Sequence, residues 1–173
     1  MSVARPEADE IPAHYVGYIA NVPEDDPVAV LATQIDVTAT LLRGLSETDA
    51  LKRYAPGKWS VKEIVGHLAD TERIMAYRAL RIARGDETPL AAFDENAYVP
   101  PAKFDARPLA DLIADLRTVR TATLALFRTF DADSWHRRGT ASGKPVSVRA
   151  LGYMIPGHER HHVKILKDRY GLR

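Results

Sequence analysis

Four stretches of this chain repeat apolar residues every three or four positions, and that period leaves few folds open. The first begins at Pro27, a favourable first-turn residue, and carries Val28, Leu31, Ile35, Thr38 and Leu42 before Gly44 stops it. The second opens on Ser60, with Glu63 three residues later as a capping box. Its stripe is Val61, Ile64, Val65, Leu68, Met75, Ala79 and Ile82, and Gly85 ends it. The third follows Pro108 with Leu109, Leu112, Leu116, Val119, Leu124 and Phe127. The fourth starts near Ser147 and carries Val148, Leu151, Ile155, His158, His162 and Leu166. Each is about 18 to 25 residues long, and no segment alternates convincingly as a strand. The expected fold is all-α, a four-helix bundle. The proline-containing connection 86–107 is the expected long crossover loop, and loops of that length are often functional. Residues 1–25 read as an irregular arm with a short helical turn at 13–20, and residues 26–173 as the bundle domain. The polar segment 131–145 reads as a turn, with a short strand pair left open.

The stretch His158-Glu159-Arg160-His161-His162 carries the chemistry. His158 and His162 are four apart, so on a helix they project from one face, one turn above the other. With Ile155 at the centre of the buried face, His162 falls about 20° away and His158 about 60°, while His161 falls about 120° away on the flank. Two inward imidazoles on consecutive turns are costly without partners, and a divalent metal ion satisfies both. The string also matches H-E-x-x-H, in which Glu159 would be the general base of a zinc protease. The residues after His162 offer only Asp168 as an acidic group and no histidine, so a third ligand must come from upstream. The candidates are His14, His67, His136 and the carboxylates. His67 is favoured: it lies mid-helix, about 60° from Ile64 on the border of the apolar face, beside Gly66. Three neutral imidazoles would leave an open coordination position, the arrangement of a reactive site.

Composition excludes several alternatives. A net charge of +1 gives no basic face for nucleic acid, and the basic C-terminal residues suit a helix end. There is no cysteine, hence no disulfide, thiolate ligand or thiol nucleophile. No leader-like segment opens the chain, and nothing approaches the roughly 18 apolar residues of a membrane helix, so a cytoplasmic protein without nucleic-acid or membrane partners is expected.

The segments Gly57-Lys58-Trp59-Ser60-Val61-Lys62-Glu63 and Gly66-His67-Leu68-Ala69-Asp70-Thr71-Glu72-Arg73 resemble the DinB/YfiT-like superfamily. So do Tyr77 to Asp86, Phe93-Asp94-Glu95-Asn96-Ala97-Tyr98 and the histidine stretch, in the expected order. The resemblance implies a four-helix bundle whose metal ligands are His67, His158 and His162. Members include bacillithiol transferases, mycothiol-dependent maleylpyruvate isomerases, a domain of ergothioneine-synthesis enzymes, and many metal-dependent hydrolases or damage-inducible proteins. Family members often dimerise, so a homodimer is expected. Several carry a glutamine three residues past the last ligand, where this chain has Ile165.

The resulting expectation is a divalent-metal-dependent enzyme, a small-molecule-thiol S-transferase or a hydrolase. Its partners would be a small-molecule substrate and, for transfer, a low-molecular-weight thiol. Zinc, nickel, iron, copper and manganese all suit imidazole ligands to differing degrees. Asp94 and Glu95 in the long loop, and Glu159, are candidate catalytic carboxylates. Asp70, Glu72 and Arg73 read as a charged helix face, with Arg73 and Arg78 as candidates for an anion. Ser60 and Trp59 are explained by capping alone. The alternative is a non-catalytic metal- or ligand-binding stress-response protein.

Overall fold

A computed structural model describes residues 3–173; Met1 and Ser2, at the start of the expected arm, lie outside the described residues. The elements run α1 (Val16–Ala20), α2 (Pro27–Leu42), α3 (Glu47–Ala50), α4 (Val61–Ala83), α5 (Glu95–Ala102), α6 (Leu109–Phe127), α7 (Ala132–His136), β1 (Arg138–Ala141), β2 (Lys144–Ser147) and α8 (Val148–Tyr170). Short 3-10 turns lie at Ala8–Glu10, Ala13–Tyr15 and Phe104–Ala106. The four long helices are α2, α4, α6 and α8, and they form the bundle.

Their ends are fixed by side chains that satisfy the orphan amides of the first turn. The Asp26 carboxylate accepts from the amides of Val28 and Ala29 ahead of Pro27. Ser60 and Glu63 form the reciprocal capping box of α4. Ser147 accepts from the Ala150 amide at the start of α8. Pro108 has no capping side chain, and Glu47 of α3 accepts from the Leu109 amide instead at 3.0 Å. Gly171, with φ of 73°, ends α8 in the left-handed conformation.

Both α2 and α4 pack against α6 and α8, so the ring order is α2, α6, α4, α8. Sequential helices α2 and α4 are therefore diagonal, as are α6 and α8. The crossings are made by segments 43–60 and 128–147. Connection 86–107, expected to cross, joins the neighbours α4 and α6. It does not bridge the bundle because it folds back on α4 through α5 and the 3-10 turn at Phe104. The amides of Asn96 and Ala97 donate to the Asp94 carboxylate, which nucleates α5 despite Pro100 and Pro101 in its last turns. Segment 131–145 likewise holds α7 and an antiparallel hairpin that pairs Arg138 with Ser147 and Ala141 with Lys144.

The core is divided in two. One apolar cluster contains Leu31 of α2, Met75 of α4, Phe127 of α6 and Ile155 of α8. The other contains Ile35, Leu68, Leu116 and Leu166 of the same four helices. Each such side chain contributes about 1.5–3 kcal/mol by leaving water. Between the clusters every long helix places buried polar groups: Gln34 and Thr38, His67, Thr71 and Glu72, Arg120, and His158, Glu159 and His162. The N-terminal arm belongs to the first cluster, where Tyr15, Ile19 and Val22 are buried. It is pinned by Glu10, which accepts hydrogen bonds from Arg149, Ser147 and Arg138. Among the described residues, no helix is long and apolar enough to cross a membrane.

Candidate metal centre

The polar layer brings three imidazoles together. The capping box sets the start of α4, so His67 faces the bundle interior two turns in. His158 and His162 face it from α8. His67 Nε2 lies 3.0 Å from His158 Nε2, and His162 Nε2 lies 3.1 Å from the same atom. All three residues are buried, and one nitrogen from each lies within 4.8 Å of the others. Burial lowers the pKa of His67 to about 4. Burial, reinforced by the neighbouring histidines, holds His158 and His162 well below the ordinary value. All three are therefore neutral near pH 7.

Hydrogen bonding satisfies only part of this cluster, because a neutral imidazole carries a single N–H. His162 Nδ1 is buried with no partner, whereas His67 Nδ1 has the Thr71 hydroxyl at 3.4 Å. Metal–imidazole bonds of about 2.0–2.1 Å put two nitrogens on one ion about 3.0 to 3.4 Å apart. The observed separations match that spacing, so the donor set fits a single divalent cation. No fourth histidine or carboxylate joins the group among the described residues.

The rings are held by their surroundings. Trp59 packs 4.6 Å from the His67 ring and stacks at 6.3 Å on His162. The Tyr18 ring packs edge-to-face with those of His158 and His161, both at 5.2 Å between centres. Gly66 leaves room for Phe104, whose Cδ1 would sit 2.3 Å from a β-carbon there. The histidines open onto a cavity of about 210 Å³, whose wall includes Tyr15, Thr71, Met75, Arg78 and Glu95. A model of the DinB superfamily matches residues 31–166, which include all three histidines and all four long helices but for a few end residues.

The chain belongs to the DinB superfamily. A protein of Oceanobacillus iheyensis named "Putative metal-dependent hydrolase OB0413" is 24% identical over 128 residues, 73% of each chain. YfiT from Bacillus subtilis, described as "a probable metal-dependent hydrolase with an unusual four-helix bundle topology", superposes with a TM-score of 0.75. That match covers 98% of this chain and 95% of YfiT at 19% identity, and it establishes the shared fold.

Within this DinB-superfamily bundle the other candidate residues divide between the cavity wall and positions away from it. Asp94 is the cap of α5, its carboxylate taken up by backbone amides. Glu159 faces away from the cavity, because at one residue past His158 it rotates about 100° around the helix. It accepts from Arg120, Gln34 and Thr38. Neither carboxylate lines the cavity; Glu95 does. Glu72, expected on a charged outer face, is buried and paired through both oxygens with Arg120. Arg73 is on the surface with Asp70, whereas Arg78 is buried at the cavity wall. His14 and His161 also line the cavity, and His136 is exposed beside the Ala132 carbonyl. Sequence reasoning missed Trp59 as a wall of the site. Its only signal was a large aromatic directly before the cap of the helix that carries His67.

Proposed function

We propose that His67, His158 and His162 hold one divalent cation, and that the chain is an enzyme activating a small nucleophile against a small-molecule electrophile. The observation that carries this reading is the convergence of three neutral imidazole nitrogens at the wall of a cavity. A divalent cation bound there supplies Lewis acidity and lowers the pKa of a water or thiol that joins it. Burial keeps the histidines unprotonated and so available as ligands. Trp59 and Tyr18 shield their rings from bulk water. Glu95 is the carboxylate on the cavity wall and is suited to accept the proton of the incoming nucleophile. The nucleophile is water in the hydrolase reading, which the name of the Oceanobacillus relative favours. It is the thiol of a cosubstrate in the transferase reading, since the chain contains no cysteine of its own.

The test is to load purified protein with zinc, nickel, iron(II) or manganese and incubate it with a panel of electrophiles, with and without low-molecular-weight thiols. The expected result is metal-dependent product that disappears in His67→Ala. Product only when thiol is present selects transfer, and product without thiol selects hydrolysis. Stoichiometric metal binding with no product across the panel would overturn the enzyme reading and leave a binding protein.

A further inference from the structure

Arg78 is 2% exposed, and among the described residues its guanidinium makes no ion pair. Its partners are all neutral. It donates to the Tyr15 hydroxyl at 3.2 Å, to the Met75 sulfur at 3.8 Å, to the Ala91 carbonyl at 2.7 Å and to the Ser142 hydroxyl at 3.0 Å, and lies 5.5 Å from the centre of the Phe93 ring. A buried cation without a counter-charge is expensive, and such groups persist where an anion completes them. Arg78 has an anion-accessible side, because with Tyr15, Ser142 and Phe93 it lines the same cavity as the three histidines. Glu95 lines that cavity too, but forms no ion pair with it among the described residues.

Helix geometry links this group to the metal centre. His67, Thr71, Met75 and Arg78 recur at four, four and three residues along α4, so they share one face, and all four line the cavity. Eleven residues separate His67 from Arg78, about 16 Å along the axis. Side chains on a helix lean toward its N-terminus, which brings the long Arg78 side chain closer to the histidines.

A second observation concerns Ser142. It occupies the tip of the β1–β2 hairpin with φ of 54°, a conformation that glycine or asparagine adopts at lower cost. The Ser142 amide is held by the Leu90 carbonyl, and the hydroxyl reaches Arg78. The two-residue turn between β1 and β2 requires left-handed backbone at both Ser142 and Gly143, so the hairpin sets the conformation and the hydroxyl is what serine adds there over glycine. While accepting from Arg78, the hydroxyl still has a proton to donate to an anion.

We propose that Arg78 and the Ser142 and Tyr15 hydroxyls form the recognition end of the cavity for a small oxyanion, foremost a carboxylate, on the substrate. This rests on the reading that the histidines are the reactive end. The Met75 sulfur, a weak acceptor, holds one guanidinium N–H at 3.8 Å and the Tyr15 hydroxyl at 3.6 Å, so both donors can turn to an oxyanion, and the Ser142 hydroxyl supplies a further one. The substrate's other end meets the three histidines, with Met75 and Tyr15 along its length.

The test is equilibrium binding of succinate, inorganic phosphate and, as a neutral counterpart, succinamide to metal-loaded protein. Metal content is measured beside every titration. Succinate is expected to bind in preference to succinamide and to lose at least tenfold affinity in Arg78→Met. Tighter phosphate than succinate would identify the anion as a phosphoryl group at the same recognition end. Should Arg78→Met not fold, Ser142→Gly decides: it should melt higher than wild type yet bind the anion several-fold more weakly, which a purely structural serine would not do. Succinamide binding as well as succinate, no binding of either anion, or unchanged affinity in both variants overturns the proposal. Metal content separates the two readings. Arg78-dependent binding to a protein that takes up no metal removes the metal centre and leaves this site, and the converse leaves the metal centre alone.

Discussion

The backbone carbonyl of Tyr18 rests against Gly157 so closely that a β-carbon on residue 157 would stand 1.9 Å from the oxygen. The contact seats α1 on α8 one residue before His158 and brings the Tyr18 ring into edge-to-face contact with that imidazole.

Gly157→Ala must therefore push α1 away, because a backbone oxygen cannot rotate aside as a side chain can. A loss of about 3 kcal/mol, the upper end of ordinary overpacking costs, is expected in chemical denaturation. Gly66→Ala, which meets only the Phe104 ring, should cost less. Equal costs would show that α1 is loosely held.

Arg120 is shared by Glu72 and Glu159 in the layer between the two apolar clusters. Arg120→Met leaves two buried carboxylates without their cation and should cost about 3–5 kcal/mol. Adding Glu72→Gln and Glu159→Gln should restore part of that loss. Glu159→Gln alone should leave metal content at the wild-type level, whereas the histidine variants should lose it. Elemental analysis of the purified variants checks both.

Burial tends to raise the pKa of Glu10, but hydrogen bonds from Arg149 and Ser147 and the charges of Arg149 and Arg138 outweigh it, holding the carboxyl at about 2. A carboxyl with a depressed folded-state pKa stabilises the fold above its unfolded value of 4.5, and that contribution fades as pH falls toward about 2. Wild type should thus melt well above Glu10→Gln at pH 7. The gap should narrow steadily below pH 4.5, as thermal melts would record. A gap independent of pH would mean that the Glu10 network contributes no charge-dependent stability.

The crowded imidazoles predict opposite effects on stability and on metal. His162→Leu removes the buried, unpartnered Nδ1. It should raise the melting temperature of metal-stripped protein and reduce metal uptake from about one equivalent toward zero. In the wild type, saturating metal at about 100 times its Kd should add about 2.7 kcal/mol, lost on chelation. Unchanged metal content in the variant would remove His162 from the centre.

The bundle was legible because its signals are local. The capping box at Ser60 and Glu63, Pro27 at a first turn and the apolar stripes each act within a few residues. The His158 and His162 pairing on one face follows from helix geometry alone. Helix α5 was not legible, because Pro100 and Pro101 argue against a helix while its stability comes from packing on α4 and from the Asp94 cap. Glu72 was misread as an outer residue because its partner, Arg120, is 48 positions away.

The sequence by itself thus determined where the long helices begin and which apolar stripe of each faces inward, since both depend on contacts within a few residues. Only the tertiary structure decided that α2 and α4 lie on a diagonal, that His67 meets the α8 pair, and that Arg78 and Ser142 open onto the same cavity. Those relations join residues far apart in the chain, and they are set by how whole helix faces pack rather than by any local preference.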